Sequence, residues 1–542
     1  MAGDGPGGAG PTDAERAATA ACGMSVALWA AVQPDEPAVT SPGGTRTFAE
    51  LNANANRLVR ALRRRGVHPG ASVVLVSRNR PELVEAVQAC LRGGYRWTPV
   101  NWHLTPGEAA HIVDDCGARA VVGDADLAPL LTALAGRCPT LSARLAAGGA
   151  VEGHEGLHEV LGPESPEDLE DPVAGTRMLY TSGTTGRPKG VVRPANYSTG
   201  LAAITDAPRY RAGTGQRNLC TGPLHHGGPM SFSLLAPLAA GVGIVLMERW
   251  DAAEALRLIE AHRITHTHMV PTMFHRLLQL PRAEREAADV SSLTYVLHGA
   301  APCPPVTKAA MLDWFGPVIW EYYAATEGSA ASIGPEEWLE HPGSVGRPPT
   351  PGHVRIVGDD GEECDPGVAG EIQIARVEGA DFVYLNDPQK TERTRRGDYF
   401  TVGDVGYLDD DGYLFVTDRS DDLILRGGVN VYPAEVEAAL LTHPGVRDAA
   451  VVGVPDAEWG EQVVAVVERN SVQGDTSSFL AALAGHCAQE LAGFKCPSRI
   501  EVTDALPRGD NGKLHRRTVR DRMREVARPP AGVPGPTPTE GS

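Results

Sequence analysis

Residues 180–190 read Tyr-Thr-Ser-Gly-Thr-Thr-Gly-Arg-Pro-Lys-Gly, and this stretch is the most informative one in the chain. Gly183 and Gly186 let the backbone turn tightly and approach a ligand, because glycine has no Cβ. The hydroxyl groups, the free backbone N–H groups and the Lys189 ammonium can then surround a polyphosphate. A Walker A loop would have Gly-Lys-Ser/Thr where this chain has Pro-Lys-Gly. We predict a loop of a different type that binds nucleotide phosphates.

The size and charge of the chain indicate how many domains to expect and which classes of binding partner the chain does not suit. Its 542 residues exceed what one hydrophobic core can hold, so we expect two or more domains. Lysine and arginine total 49 against 68 acidic residues, which gives a formal net charge of −19. General nucleic-acid binders and binders of anionic membranes need a net basic face, so we expect neither kind of partner.

Cysteine usage and apolar runs indicate a reduced, non-membrane protein. The nine cysteines are scattered and form no Cys-x-x-Cys pair, so neither a zinc site nor a disulfide framework is predicted. Reduced thiols are typical of cytosolic proteins, and we expect a cytoplasmic location. The most apolar run, 234–247, is short and contains Pro237 and two glycines, which favours a core helix and strand over a membrane span.

The pattern of apolar residues predicts an α/β protein. Through the first three quarters of the chain, β-rich runs such as Ser72–Val76 alternate with helical patterns such as Glu82–Leu91, which is typical of parallel sheets covered by helices. From Gly370 onward, short strands and turns replace this alternation. We predict disordered tails at 1–15 and 528–542, a large domain over 16–420 and a smaller one over 421–527.

Six further motifs follow the glycine-rich loop in order. They are Pro223-Leu-His-His-Gly-Gly228, His298-Gly-Ala-Ala301, Glu321-Tyr-Tyr-Ala-Ala-Thr-Glu327, Val402-Gly-Asp-Val-Gly-Tyr407, Asp418-Arg419 with Gly427-Gly-Val-Asn430, and Pro507-Arg-Gly-Asp-Asn-Gly-Lys-Leu514.

Together these motifs resemble those of the ANL superfamily of adenylate-forming enzymes, which includes acyl- and aryl-CoA ligases, peptide-synthetase adenylation domains and firefly luciferase. The resemblance covers about residues 47–517. It implies a large domain of helix-covered parallel sheets with a small β-barrel-like subdomain, followed by a mobile α+β lid. The implied activity is that of an acyl-CoA synthetase that uses ATP, Mg²⁺ and coenzyme A.

The chemistry of adenylation explains which residues such an enzyme needs. A carboxylate attacks the α-phosphorus of ATP and pyrophosphate leaves; the nucleophile is already ionised, so the site must align two anions and neutralise their repulsion. Lys513 matches the family's catalytic lysine. Glu327 matches its magnesium ligand, and one carboxylate with phosphate oxygens suits Mg²⁺. His226 matches the histidine at the mouth of the acyl pocket.

The resemblance also implies a nucleotide site. Tyr323 would stack on adenine opposite Gly299, and Asp404 would bind the ribose hydroxyls. Each of these residues, taken singly, also fits a purely structural role. The residues that match cofactor-binding positions are Thr181, Ser182, Gly183, Thr184, Thr185, Lys189, Gly299, Ala300, Ala301, Glu321, Tyr322, Tyr323, Thr326, Asp404, Arg419 and Gly428.

The second half-reaction needs a mobile lid, because Lys513 would block the approach of the CoA thiol. Asp421 matches the family's hinge residue, and Gly428 matches the glycine beside pantetheine, a role that requires no side chain. Two residues depart from the family pattern. Arg426 stands where serine is common, and Ala324 replaces the glycine after the stacking tyrosine, so the balance of the two half-reactions is left open.

The prediction of the substrate acid depends on the small residues that follow His226. Gly227 and Gly228 follow His226, and they predict a roomy, mainly apolar pocket for a bulky hydrophobic carboxylic acid. Three alternatives stay open: an acyl-AMP ligase that serves a separate carrier protein, a half-active member that performs one half-reaction, and a luciferase-type oxidase. The oligomeric state cannot be read from the sequence, and a homodimer is one candidate.

Overall fold

The structure, a computed structural model, describes residues 10–181, 188–193, 210–419, 422–426, 429–456, 459–470, 475–509 and 512–527. Six of the predicted site residues lie outside the described residues: Ser182, Gly183, Thr184, Thr185, Asp421 and Gly428. The predicted tail at 528–542 lies outside them as well. No helix in the described part is long and apolar enough to cross a membrane.

Two large sheets organise the first three quarters of the chain. The first has eight strands in the order β16-β15-β14-β13-β11-β12-β1-β2, and its six central strands run parallel. Its strands are β1 (Pro37–Ser41), β2 (Gly44–Thr47), β11 (Arg217–Cys220), β12 (Gly243–Leu246), β13 (His266–Met269), β14 (Tyr295–His298), β15 (Ile319–Ala324) and β16 (Ser329–Ile333).

The second sheet has six strands, all parallel, in the order β7-β6-β5-β3-β4-β8. Its strands are β3 (Ser72–Val76), β4 (Arg96–Pro99), β5 (Ala118–Asp124), β6 (Ala143–Ala147), β7 (Glu155–Gly156) and β8 (Thr176–Arg177). Every residue of β3 is buried, as expected for a parallel strand that is covered on both faces.

Helices cover both sheets. They are α1 (Asp13–Ala21), α2 (Ser25–Val32), α3 (Phe48–Arg64), α4 (Pro81–Arg92), α5 (Pro106–Asp115), α6 (Ala128–Arg137), α7 (Leu157–Leu161), α8 (Ala236–Ala239), α9 (Ala252–Ala261), α10 (Pro271–Leu278), α11 (Arg282–Ala287), α12 (Pro305–Phe315) and α13 (Pro335–Glu340), with a 3₁₀ helix at Ala125–Leu127 and a π-helix at Pro229–Leu235.

Helix α1 shows that the predicted disordered tail at 1–15 extends too far along the chain. Thr12 caps it, since its hydroxyl accepts from Glu15 N at 3.2 Å and its backbone N–H donates to Glu15 Oε2 at 2.8 Å. This capping box starts a helix at Asp13. Residues 13–15, predicted as part of a disordered tail, are therefore helical.

Two smaller sheets connect the large sheets to the lid. A three-stranded sheet contains β9 (Leu179–Thr181), β10 (Lys189–Val192) and β19 (Val383–Tyr384). The predicted barrel-like subdomain is an antiparallel sheet of β17 (Val354–Val357), β18 (Gly370–Ala375), β20 (Arg395–Arg396), β21 (Tyr399–Phe400), β22 (Asp404–Leu408) and β23 (Leu414–Arg419). Helix α14 (Pro388–Thr394) lies between β19 and β20.

The carboxyl-terminal part has its own sheet and core, as predicted for an α+β unit. Its elements are β24 (Ile424–Arg426), β25 (Val429–Val431), α15 (Pro433–Leu441), β26 (Val446–Asp456), β27 (Gly460–Arg469), α16 (Thr476–Glu490), β28 (Arg499–Thr503) and α17 (Arg516–Ala527). Its buried apolar residues, among them Val436, Val451 and Leu483, form a cluster separate from those of the large sheets. We call this part the lid.

Candidate active site

The candidate site lies where parallel strands of the eight-stranded sheet end. Strands β13, β14 and β15 run in register, with Met269 beside His298 and His298 beside Glu321. Their carboxyl ends therefore meet at one edge of the sheet, the usual location of ligands in open α/β sheets. The predicted His298-Gly-Ala-Ala301 and Glu321–Glu327 motifs both leave the sheet at this edge.

The loop after β14 is tightly fitted to its neighbour. A Cβ at Gly299 would lie 2.6 Å from the backbone oxygen of Tyr322, so no other residue fits there without movement. Ala300 has φ +68°, a left-handed conformation that costs an L-residue roughly 1–2 kcal/mol. The loop is thus held in a specific, strained shape at the position predicted to wall the adenine.

The predicted adenine and ribose residues lie together. The Tyr323 hydroxyl donates to Asp404 Oδ2 at 2.5 Å. Asp404 begins β22 and stands directly opposite Arg419, the last residue of β23. The sequence separates these three residues by nearly a hundred positions, and the fold brings them to one place.

The hairpin that carries the glycine-rich loop is anchored at its base. Thr181 and Lys189 are cross-strand neighbours, so β9 and β10 hold the two ends of the segment that binds phosphate in our prediction. Lys189 Nζ lies 2.5 Å from Asp387 Oδ2, and this ion pair lowers the pKa of Asp387. Asp387 also accepts from Lys390 N at 2.9 Å and so begins α14. The loop lysine is thereby tied to a neighbouring helix.

Glu327 can bind one hydrated cation. It is buried, and its Oε1 accepts from the Tyr384 hydroxyl at 2.6 Å. No described residue bonds its Oε2. The described residues contain no group of three potential metal ligands. A single carboxylate with one available oxygen fits Mg²⁺, which keeps waters and takes phosphate oxygens as its other ligands.

The Glu327 segment is fixed through its backbone. Arg193 Nε donates to Thr326 O at 3.0 Å, and Arg193 Nη1 donates to Ala380 O at 2.8 Å. Arg193 thus links the strand after the glycine-rich loop to the turn before Glu327. Thr326 is therefore held at the site by its carbonyl.

Glu321 faces away from the pocket, as the strand alternation requires. Its Oε2 lies 2.6 Å from Lys308 Nζ and 3.4 Å from His298 Nε2, and all three side chains are buried beneath α12. Burial raises the pKa of Glu321 and lowers that of Lys308, each against the effect of its partner. The Glu321 carboxylate thus makes a buried ion pair on the opposite face of β15 from Tyr322.

Tyr322 lines the predicted acyl pocket. Its hydroxyl lies 3.1 Å from His268 Nε2, and its ring contacts Phe232 of the π-helix with centroids 4.8 Å apart. A Cβ at Gly228 would lie 2.9 Å from His268 Cε1 and 3.0 Å from the Tyr322 hydroxyl. The argument for a roomy, apolar pocket is therefore wrong at this wall, because the space that the glycines leave is filled by polar aromatic rings.

His226 and Lys513 lie close enough for their charges to interact. Burial chiefly, and then the positive charge of Lys513, lower the pKa of His226 to about 4, so the ring is neutral at pH 7. The Lys513 turn packs on the large domain, because a Cβ at Gly512 would lie 1.9 Å from Thr272 Oγ1. Arg508 holds the turn to the lid through two bonds to Asp448, of 2.6 and 2.7 Å.

Further contacts join the lid to the large domain. His275 Nε2 and Gln279 Nε2 of the α10 segment both bond the backbone oxygen of Arg447, the latter at 3.2 Å. Asp418 Oδ2 accepts from Ala434 N at 3.1 Å, at the start of α15. These contacts hold the lid in the orientation that brings Lys513 to His226.

Arg426, the departure from the family pattern, is engaged within the lid. Its Nη1 donates to the backbone oxygens of Phe494 and Cys496, at 2.9 and 3.2 Å. The guanidinium thereby fastens the β24 edge to the segment before β28. Ala324 ends β15 beside a register shift between Tyr323 and Ala324.

Sequence reasoning missed several residues of the site. Tyr384, Asp387 and Arg193 support Glu327 and Lys189 from distant positions, and no local pattern marks them. His268 had a signal, since the strand reads His266-Thr-His268 and alternate residues of a strand share a face. Two histidines on one face of a buried strand indicate a polar pocket wall.

The sequence is similar both to known family patterns and to individual known proteins. The pattern of the AMP-binding enzyme family matches residues 26–379, and that of the AMP-binding enzyme C-terminal domain matches residues 435–513. The chain is 34% identical over 502 residues to a feruloyl-CoA synthase of Amycolatopsis sp, covering 91% of this chain and 97% of that protein. It is 32% identical to the fatty acid–[acyl-carrier-protein] ligase ScoC of Streptomyces coeruleorubidus, covering 91% and 94%.

A solved structure has a similar fold over nearly the whole chain. The anthranilate CoA ligase AuaEII, solved in complex with anthranoyl-AMP, is similar to this chain with a TM-score of 0.85 and 25% identity. The match covers 93% of this chain and 98% of AuaEII.

Proposed function

Since the chain belongs to the AMP-binding enzyme family, in its acyl-CoA synthetase branch, we propose that it joins a bulky hydrophobic acid, activated as its adenylate, to coenzyme A. The observation that carries the proposal is the docked Lys513 turn. The lid brings this turn against Val270 and Thr272 at the carboxyl end of β13, beside His226. A cation at that place serves a reaction in which two anions must meet.

In the first half-reaction, a carboxylate oxygen of the acid bonds to the α-phosphorus of ATP, and the bond from that phosphorus to the pyrophosphate oxygen breaks. Lys513 offsets the negative charge shared by the carboxylate and the α-phosphate. Tyr323 and Asp404 hold the adenosine, and Glu327 would hold Mg²⁺, which supplies charge neutralisation at the phosphates. Neutral His226 can donate one N–H bond without adding charge to the mouth.

In the second half-reaction, the CoA sulfur bonds to the acyl carbon, the thiol proton is released, and AMP leaves with the former bonding pair. Lys513 stands where the thiol must approach. We therefore assign residues 421–527 to a lid that rotates about Asp421 and brings Gly428 to the pantetheine arm. Asp418 and Arg419 would remain with the large domain.

An acid panel tests the substrate class. Formation of AMP and acyl-CoA is followed with aryl, polycyclic, fatty and short-chain acids at equal concentration. The proposal expects the highest kcat/KM with a bulky hydrophobic or aryl acid, because Phe232 and Tyr322 offer half-buried ring surface to such a substrate. Highest efficiency with acetate or propionate would contradict it.

A carrier protein is the second candidate acceptor, and the 32% identity to ScoC favours it specifically. Both acceptors share the phosphopantetheine thiol, so adenylation is the same in either case. Parallel assays with coenzyme A and with phosphopantetheinylated carrier protein distinguish them. We expect transfer to coenzyme A to be faster, and faster transfer to the carrier would replace the main proposal with the second.

A further inference from the structure

Three rings form an aromatic wall beside the mouth of the site: Phe232 of the π-helix, His268 of β13 and Tyr322 of β15. Their centroids lie 4.8 Å (Phe232–Tyr322), 5.5 Å (Phe232–His268) and 5.8 Å (His268–Tyr322) apart. Phe232 and Tyr322 are half-buried, whereas His268 is buried. Gly228 touches this wall two residues after His226, so an acid that enters past His226 meets it.

The His268–Tyr322 hydrogen bond leaves one donor and one acceptor available. If the Tyr322 hydroxyl donates to Nε2, then Nδ1 carries a proton and the phenol oxygen can still accept. If Nε2 donates instead, the phenol hydrogen is available and Nδ1 accepts. Among the described residues, none bonds His268 Nδ1. Because the two ring nitrogens point to opposite sides of the imidazole, the partner for a substrate group at this wall is the Tyr322 hydroxyl, which can accept in the first tautomer and donate in the second.

The surroundings favour an uncharged group. Burial lowers the pKa of His268 to about 3, so the ring is neutral at pH 7. Asn218, on the same face of the sheet, is buried, and its Oδ1 has no hydrogen-bond partner among the described residues. The residues that this face of β11, β13, β14 and β15 contributes include no carboxylate, lysine or arginine: Asn218, Cys220, His266, His268, Tyr295, Leu297, Trp320 and Tyr322.

We propose that the acid is an aryl acid whose ring bears a neutral hydroxyl or amino group, and that Tyr322, positioned by its bond to His268, selects it by hydrogen bonding to that group. This inference rests on the proposed function, since it names the substrate class of the same site. A purely apolar ring would leave the remaining donor or acceptor of the Tyr322 hydroxyl unsatisfied. A site built to bond a substrate hydroxyl strongly rejects the analogue that lacks it.

Matched acids provide the test. Pyrophosphate exchange and acyl-CoA formation are measured with cinnamate, 3-hydroxycinnamate, 4-hydroxycinnamate and 4-aminocinnamate, for the wild type and for Tyr322→Phe. We expect the wild type to prefer at least one substituted acid to cinnamate by roughly 10-fold or more in kcat/KM. Tyr322→Phe, which removes a single oxygen, should reduce that preference about 10-fold, chiefly through KM.

Phe232→Leu is the matched control, because it changes the same wall without changing a hydrogen bond. It should alter kcat/KM for substituted and unsubstituted acids by the same factor. Equal use of cinnamate and its substituted forms by the wild type would overturn the inference even if Tyr322→Phe does not fold. An unchanged preference in folded Tyr322→Phe would overturn it too. Failure of exchange with all four cinnamates, together with activity on another acid of the panel above, would overturn this inference alone, whereas failure with every acid of that panel would overturn the proposed function as well.

Discussion

Ala300 shows how one residue can carry strain at a binding loop. Its φ of +68° lies in the left-handed region, where an alanine Cβ crowds the backbone and glycine does not. The chain nevertheless keeps alanine there, beside the predicted adenine wall. Backbone strain of this kind clusters at functional sites.

Two alanine-to-glycine substitutions in this loop should separate the effect of backbone strain on stability from the effect of the unfolded chain's entropy. Ala300→Gly relieves about 1–2 kcal/mol of strain and loses about 1 kcal/mol through the greater freedom of the unfolded chain, so we expect unchanged or raised stability. Ala301→Gly, with no positive φ to relieve, should lose roughly 0.5–1 kcal/mol. Thermal melting measures both. Equal destabilisation by the two substitutions would contradict the strain at Ala300.

The buried His268 should make the free energy of unfolding depend on pH, and its lowered pKa fixes the sign of that dependence. Its pKa of about 3 in the folded chain lies below the ordinary 6.5, so between these values the unfolded chain binds more protons. Stability should therefore fall with falling pH below about 6.5, by up to about 1.4 kcal/mol per pH unit from this group. His268→Gln cannot titrate and should show a shallower loss in melting scans from pH 7 to 5.

His158 supplies the matched control for this prediction. It is exposed, so His158→Gln should follow the wild-type pH dependence. A His268→Gln profile parallel to that of the wild type would show that His268 is not buried in its neutral form.

At the level of elements, β15 carries different chemistry on its two faces. Tyr322 points to the acyl side, and Glu321 points to α12, where it pairs with Lys308 at 2.6 Å. His298, which precedes the loop predicted to wall the adenine, lies against the same carboxylate. The buried pair thus joins α12 to the two strands from which the predicted nucleotide-binding loops depart.

Removing one member of this ion pair should lower the free energy of unfolding more than removing both members. Lys308→Met leaves a buried carboxylate without its cation, and we expect a loss of about 3–5 kcal/mol. Adding Glu321→Leu removes that unpaired charge and should recover part of the loss. Chemical unfolding of the two variants measures the recovery. A double variant less stable than Lys308→Met would contradict the ion-pair interpretation.

Elements with strong local signals were predictable, and contacts between distant segments were not. Ser72–Val76 is the strand that was predicted, because the unbroken run of apolar, mainly β-branched residues after Ser72 defines it locally. The pairing of Lys189 with Asp387 spans 198 residues and depends on how two sheets pack. The motif order likewise indicated Tyr323 and Asp404 as neighbours, but the filling of the Gly228 space by Tyr322 required the fold.

At the level of the whole molecule, hydrogen bonds between described residues help to set the orientation of the lid. The α10 segment holds the lid through the carbonyl of Arg447, which His275 and Gln279 both bond. Hydrogen bonds of about 1 kcal/mol each suit the rotation that we propose for the lid. A large apolar interface would oppose such alternation.

Weakening this contact should affect one half-reaction. The double variant His275→Ala with Gln279→Ala should slow adenylation about 10-fold, because two bonds that favour the adenylating orientation are lost. Transfer from supplied acyl-adenylate to coenzyme A should change less than twofold. Glu284→Gln, on the exposed neighbouring helix, is the control and should match the wild type in both assays. Equal slowing of both half-reactions would contradict the assignment.

The most direct test of the whole account concerns Lys513. Lys513→Ala is compared with the wild type and with Arg524→Ala, which removes an exposed lid charge away from the site. Pyrophosphate exchange reports adenylation, and supplied acyl-adenylate with coenzyme A reports transfer. We expect Lys513→Ala to lose adenylation by at least about 100-fold, since it removes the charge that lets two anions meet, while transfer stays within about threefold. An equal loss in both half-reactions, or unchanged adenylation, would contradict the account.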